Sequence, residues 1–203
     1  MSKEQLLLAT TNQGKAREIK SYLKDLPIEI HSLKELDQFK PFTETGQTFD
    51  ANARGKSLCY SANWKGLTLA EDSGLEIESL RGEPGVRSAR YSGERATDQK
   101  NNQKVLERMK GMPPEKRNAR FVSCMVLSKK GEVIKEIRES VEGIINLREK
   151  GSHGFGYDPL FYYPPLKKTF AELLPEEKNK VSHRGRALQK LKEFLLNYLG
   201  SDL

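Results

Sequence analysis

The sequence predicts an α/β fold, a mixed central sheet flanked by helices. Three observations predict it. Short apolar runs of strand length recur early, at Leu6–Thr10, Ile28–Ser32 and Leu67–Ala70. Segments of helical periodicity separate them. Later, Ala119–Ser128 and Glu132–Ile145 are long and β-rich on either side of Lys130-Gly131, which reads as a hairpin. The resulting order, βαβαββαββα, belongs to an α/β domain with a mixed sheet.

Each element has a local reason. Gly14 to Leu26 places Ala16, Ile19, Leu23 and Leu26 at helical spacing. Thr48 to Asn63 does the same with Phe49, Ala53 and Tyr60. Asn52 and Lys56, four apart, share one face of that helix, read as different from the apolar one. Leu67–Ala70 and Leu75–Leu80 read as two strands, parted by Glu71-Asp72-Ser73-Gly74. Gly82, Pro84, Gly85 and Gly93 mark Arg81 to Gly93 as loop. Thr97 caps a helix running to Met109. Gly151–Phe161 is a glycine-rich loop. The last helix starts near Ser182 and carries Ala187, Leu188, Leu191, Phe194, Leu195, Tyr198 and Leu199 as an apolar stripe.

Composition narrows the class. At 203 residues the chain can bury one full core, with room for two lobes, and no linker divides it, so residues 1–203 read as a single domain. Hydrophobic residues are 36% and charged residues 31%, the balance of a soluble globular protein. No apolar run approaches the ~20 residues of a membrane span. The apolar run at Leu6–Ala9 is too short for a signal peptide. Cys59 and Cys124 lie far apart in apolar contexts and read as free core thiols, so a cytoplasmic location is expected. The net charge of +7 suits an anionic ligand. Lys and Arg are scattered, without the basic stripe and interleaved aromatics of a nucleic-acid-binding surface.

The chemistry concentrates in four places. Glu71 and Asp72 follow an apolar strand, where α/β proteins place ligands, and paired acids there call for a partner such as a divalent cation. Thr10-Thr11-Asn12-Gln13-Gly14-Lys15 joins the first strand to the first helix, where backbone N–H groups bind anions and Lys15 adds a charge for phosphate. It is not a P-loop: Ala16 stands where that motif needs Ser or Thr. Gly154-Phe155-Gly156-Tyr157-Asp158 can press its backbone on a flat ring while Phe155 stacks on it. Lys178, then Ser182-His183-Arg184, opens the last helix with donors.

Together these stretches resemble one family, the inosine triphosphate pyrophosphatases. The matching segments are Ala9 to Lys15, Glu44-Thr45-Gly46 with Thr48-Phe49, Ala70 to Leu75, Gly82 to Val86 with Ser88 to Tyr91, Gly154 to Pro159, and Glu177-Lys178 with Ser182-His183-Arg184. They occur in the family's order. The resemblance implies hydrolysis of non-canonical purine nucleoside triphosphates, those of inosine, deoxyinosine and xanthosine, to the monophosphate and pyrophosphate with Mg²⁺. It implies a homodimer whose subunits have two lobes around a long mixed sheet, with the active-site cleft between the lobes. Carried over, Thr10, Thr11, Asn12, Gln13, Gly14, Lys15 and Lys56 bind phosphates, and Ser73 contacts substrate. Glu44 and Asp72 hold the metal, and Asp72 is also the general base. Phe155, Gly156, Tyr157, Asp158, Lys178, His183 and Arg184 form the nucleoside pocket.

Two departures stand out. The family usually has Asp-Asp where this chain has Glu71-Asp72. It usually reads Thr-Phe-x-Glu-Asn-Ala where this chain reads Thr48-Phe49-Asp50-Ala51-Asn52-Ala53, so a carboxylate is missing at Ala51. Alternatives are a pyrophosphatase with a broader or pyrimidine substrate range, a nucleotide-binding scaffold without turnover, and a nucleic-acid-binding protein.

Overall fold

β1 (Glu4–Leu8) shows how the chain builds its first core. Its side chains alternate between two faces, as strand geometry requires. Leu6 and Leu8 pack with Ile19 and Leu23 of α1 (Gln13–Leu23) and Leu188, Leu191 and Leu195 of α5 (His183–Gly200). Leu7 and Ala9 pack with Tyr60 of α2 (Phe49–Ser61). Helices therefore cover both faces, which is why this strand is a continuous apolar run. Each fully buried Leu contributes ~1.5–3 kcal/mol.

The structure is a computed structural model and describes residues 3–36 and 39–200. The remaining elements are β2 (Ile28–Ser32), β3 (Leu67–Ile77), α3 (Asp98–Arg108), β4 (Asn118–Lys129), β5 (Glu132–Ile145), β6 (Phe161–Tyr163), β7 (Lys168–Thr169) and α4 (Pro175–Val181), with short 3₁₀ turns between them. Seven strands form one sheet in the order β2-β1-β3-β4-β5-β6-β7. β1 runs parallel to β2 and β3, while β5, β6 and β7 are antiparallel, so the sheet is mixed. Lys130 and Gly131, at φ 53° and 81°, make the two-residue turn between β4 and β5.

The chain divides into two units. The first takes the segments up to Asp72, Ser123–Glu139, and from Arg184 onward. The second takes Ser73–Val122 and Ser140–His183. Its core gathers Leu75, Ile77, Val105, Met109, Phe121 and Phe161 with other apolar side chains.

Several expectations need correction. The two strands expected at Leu67–Ala70 and Leu75–Leu80 are one strand, β3, so Glu71 and Asp72 lie mid-strand rather than at a strand end. Gly74 does not end the strand; it admits a close neighbour, since a Cβ there would stand 2.2 Å from Ser88 Oγ. The α2 face carrying Asn52 is not distinct from the apolar one: Asn52 is buried together with Phe49, Ala53, Ser57 and Tyr60. Cys124 is buried, but Cys59 is exposed. The helix at the C-terminal end is preceded by a second one, α4, which the sequence reading did not assign. β6 and β7 were also not expected, being too short to show a periodicity.

Candidate active site

In the first unit, α1 opens on Asn12, whose side chain accepts from the Lys15 N–H at 3.0 Å. No acid occupies the first turn of α1, so the positive end of its dipole is uncompensated by the helix itself. Thr10 is buried, and its hydroxyl accepts from the Asn12 N–H at 3.2 Å. Thr11, Asn12 and Gln13 are exposed. Lys15 turns inward to stand 4.0 Å from Glu71 Oε2. Burial, the largest influence, holds its pKa below the ordinary lysine value, against the charge of Glu71.

Glu71 and Asp72 are neighbours on β3 with different environments. Glu71 is 1% exposed and fully engaged. Arg184 Nε donates to both of its oxygens, at 2.9 and 3.0 Å, and Ser123 Oγ donates at 2.7 Å. Arg184 also donates to Glu18 at 2.6 Å. Burial alone would raise the Glu71 pKa, and it is the largest single influence. The charges of Arg184 and Lys15, with the hydrogen bonds from Arg184 and Ser123, outweigh it and hold the carboxyl well below the usual range.

Asp72 is 6% exposed, and its Oδ2 accepts from Asn52 Nδ2 at 3.0 Å. Burial raises its pKa. The charge of Lys15 opposes this, and the charge of Glu44 adds to it. Asn52 Oδ1 accepts from the Gly46 N–H at 2.8 Å, so one amide ties Asp72 to the segment that carries Glu44. Glu44 pairs with Lys56, whose ammonium also donates to the Glu71 carbonyl at 3.3 Å. Lys15, Glu44, Lys56 and Asp72 are thus brought together in this unit.

The second unit assembles the glycine-rich loop. Asp158 Oδ2 accepts from the Phe155 N–H at 2.9 Å and from Lys178 Nζ at 2.5 Å. Lys178 Nζ stands 5.0 Å from the Phe155 ring centroid, a cation–π contact. Gly154 has φ 77°, and a Cβ there would stand 2.0 Å from Asp158 Oδ2, so only glycine fits. The Tyr157 hydroxyl donates to the Ser88 carbonyl at 2.8 Å. His183 is buried with its ring stacked on Phe121, 4.7 Å between centroids. Ser73, partly buried, is the first residue of this unit.

Of the expected nucleoside residues, Phe155, Gly156, Tyr157 and Asp158 share one loop, and Lys178 of α4 is tied to it through Asp158. His183 lies in the same unit against the phenylalanines. Arg184 lies in the first unit and is engaged by Glu71 and Glu18. Sequence reading missed the roles of Asn52, Ser123 and Glu18. A signal existed for Asn52 alone: it is a polar residue at a core-facing helix position.

The comparisons with known proteins agree with this fold. The Ham1 family profile matches residues 6–194. This chain belongs to the Ham1 family. Among its relatives, a protein of Desulforamulus reducens named dITP/XTP pyrophosphatase is 45% identical over 190 residues, 94% of each chain. A Bacillus subtilis protein of the same name is 43% identical, covering 95% of this chain and 97% of that one. The Ham1 protein of Staphylococcus aureus superposes with a TM-score of 0.85 at 37% identity, covering 96% of this chain and all of that one (100%). A Ham1 protein of Coxiella burnetii gives 0.86 at 38% identity, covering 96% and 99%.

Proposed function

We propose that this Ham1-family protein hydrolyses non-canonical purine nucleoside triphosphates, of the inosine, deoxyinosine and xanthosine type, to the monophosphate and pyrophosphate. The observation that carries the reading is Asp72. It is a buried carboxylate, held by Asn52, within reach of the charges of Lys15, Glu44 and Lys56. The names of its relatives supply the substrate class.

The roles follow from the chemistry of each group. Asp72 serves as general base, and its raised pKa brings it closer to the range where a base is effective. Lys15 and Lys56 neutralise phosphate charge, and the N-terminus of α1 offers N–H donors to the same anion. Glu44 and Asp72 would hold Mg²⁺, their carboxylates being the hard oxygen donors that suit this ion. When bound there, Mg²⁺ supplies charge stabilisation on the phosphates. Arg184 holds Glu71 ionised beside Lys15.

In the second unit, Phe155 offers a ring for stacking, while Lys178 and His183 offer hydrogen-bond donors. A donor-only ammonium favours the oxygen at position 6 of hypoxanthine or xanthine over the amino group of adenine. We also propose a homodimer and a cytoplasmic location, in keeping with the family resemblance. Among the described residues, no helix is long and apolar enough to cross a membrane.

The test is pyrophosphate release across a panel of purine and pyrimidine triphosphates, with and without Mg²⁺. Release from dITP and XTP, dependent on Mg²⁺, supports the reading. Equal release from ATP and GTP overturns the substrate assignment.

A further inference from the structure

α3 carries polar residues where a buried helix face normally carries apolar ones. Asn101, Asn102 and Val105 lie on its buried face, and Asp98, exposed in the first turn, stands one turn before them. Val105 is fully buried, and Asn101 and Asn102 are each 3% exposed. Buried amides are unfavourable unless they are hydrogen-bonded, so their partners tell what the face does.

Two of these residues converge on a single glycine. Asp98 Oδ2 accepts from the Gly156 N–H at 2.7 Å. Asn102 Nδ2 donates to the Gly156 carbonyl at 3.1 Å. Both backbone polar groups of Gly156, which sits at φ 63°, are therefore held from α3. Asn101 grips the neighbouring segment: its Nδ2 donates to the Ser88 and Ala89 carbonyls, and its Oδ1 accepts from the Ser92 N–H. Ser88 in turn accepts the Tyr157 hydroxyl. All of these residues belong to the second unit.

We infer that Asp98 and Asn102 are positioning residues for nucleoside recognition, clamping the Gly156 peptide so that Phe155 and the Asp158–Lys178 pair are held ready for a purine. The inference rests on the reading of this loop as the nucleoside-binding part. A glycine without its clamp samples both halves of φ space. The substrate would then have to order the loop on each encounter, which weakens binding. Asp72, on another unit, keeps its own environment. The expected signature is a raised KM at nearly constant kcat.

The two side chains call for different variants. Asp98→Ala removes an acceptor, while Asp98→Asn keeps one. Asn102→Asp keeps the shape but turns the donor into an acceptor facing a carbonyl. Asp98→Ala and Asn102→Asp are each expected to raise KM for dITP about tenfold, with kcat within about twofold. Inhibition by pyrophosphate, which has no nucleoside, stays unchanged. Asp98→Asn returns KM to within about threefold of wild type. An unchanged KM in both variants overturns the inference, and so does pyrophosphate inhibition that weakens in step with KM. Wild-type protein that turns over no triphosphate overturns the functional reading instead. Amide hydrogen exchange at Gly156 then decides the clamp: a roughly tenfold faster exchange in Asp98→Ala upholds it, and an unchanged rate overturns it.

Discussion

Arg184 Nε bridges both carboxylate oxygens of Glu71, at 2.9 and 3.0 Å, across 113 residues of sequence. Ser123 Oγ donates to the same carboxylate at 2.7 Å. Glu71 is thereby committed to the interior, and Asp72 is left as the carboxylate of this strand segment that faces Asn52 and the charge of Glu44.

Removing Glu71 takes one carboxylate partner from the buried Arg184 guanidinium, with Glu18 remaining at 2.6 Å, and takes the facing negative charge from Lys15. We predict that Glu71→Ala lowers stability by about 3–5 kcal/mol. Glu71→Asp, which keeps the charge but shortens the reach, should lose less, about 1–3 kcal/mol. Urea denaturation at neutral pH measures both. Equal losses for the two variants would show that the reach of the side chain is unimportant.

The same pair should shape acid stability. The folded pKa of Glu71 lies below its ordinary value of 4.5. A depressed pKa contributes stability that is fully present above the unfolded value and is lost as pH falls toward the folded one. The wild type should therefore lose stability steadily as pH drops below about 5. Glu71→Gln, less stable at neutral pH, should show a shallower fall over that window. Parallel curves for the two proteins would reject the assignment.

Asp72→Asn preserves shape and removes the charge. We predict that turnover falls by about 10²–10⁴-fold, with the fold intact by circular dichroism. Asn52→Ala should lower kcat about tenfold, because the carboxylate loses its orienting hydrogen bond. Near wild-type turnover in Asp72→Asn would remove this residue from the mechanism.

Ala51 stands beside the Glu44 segment, since a Cβ on Gly46 would lie 3.0 Å from the Ala51 Cβ. Asp50 does not replace the missing acid, because it pairs with Arg138. Glu71 is held by Arg184 and does not replace it either. We therefore predict that Ala51→Glu raises turnover or lowers the Mg²⁺ concentration for half-maximal rate. A metal titration with unchanged or lower activity at every concentration would reject this.

Base choice gives a further prediction. Sites built to hydrogen-bond a substrate group can discriminate by ~10⁴, because the wrong partner leaves buried groups unpaired. Lys178 is 4% exposed and His183 3%, so both are buried donors. A large preference for ITP over ATP in kcat/KM is expected. Comparable values for the two substrates would sink the donor assignment.

Much of this molecule could be read from the chain, and the misses have physical causes. β1, α1 and the α5 stripe were legible because their apolar residues repeat at the periods of a strand or a helix. Glu71-Asp72-Ser73-Gly74 looked like a strand end because charge and glycine usually end strands. Arg184, Ser123 and Asn52 satisfy the two acids from distant sequence, and no local pattern reports such partners. The family resemblance implies a nucleoside contact for Arg184, and its hold on Glu71 and Glu18 is a further partnership that its residue type does not report. Asp158 and Lys178 could each be singled out from the chain, but not their buried ion pair beside the Phe155 ring.

β3 passes from the first unit into the second without a break, between Asp72 and Ser73. A loop at such a junction would tolerate gain or loss of a residue. A strand does not, because a one-residue slip turns every following side chain to the opposite face. An insertion after Asp72 would direct Leu75 and Ile77, both fully buried, away from their core. The spacing between the acids and Leu75 is therefore a fixed ruler. Length variation tolerated by this chain should fall in its exposed turns, such as Lys130-Gly131, and not here.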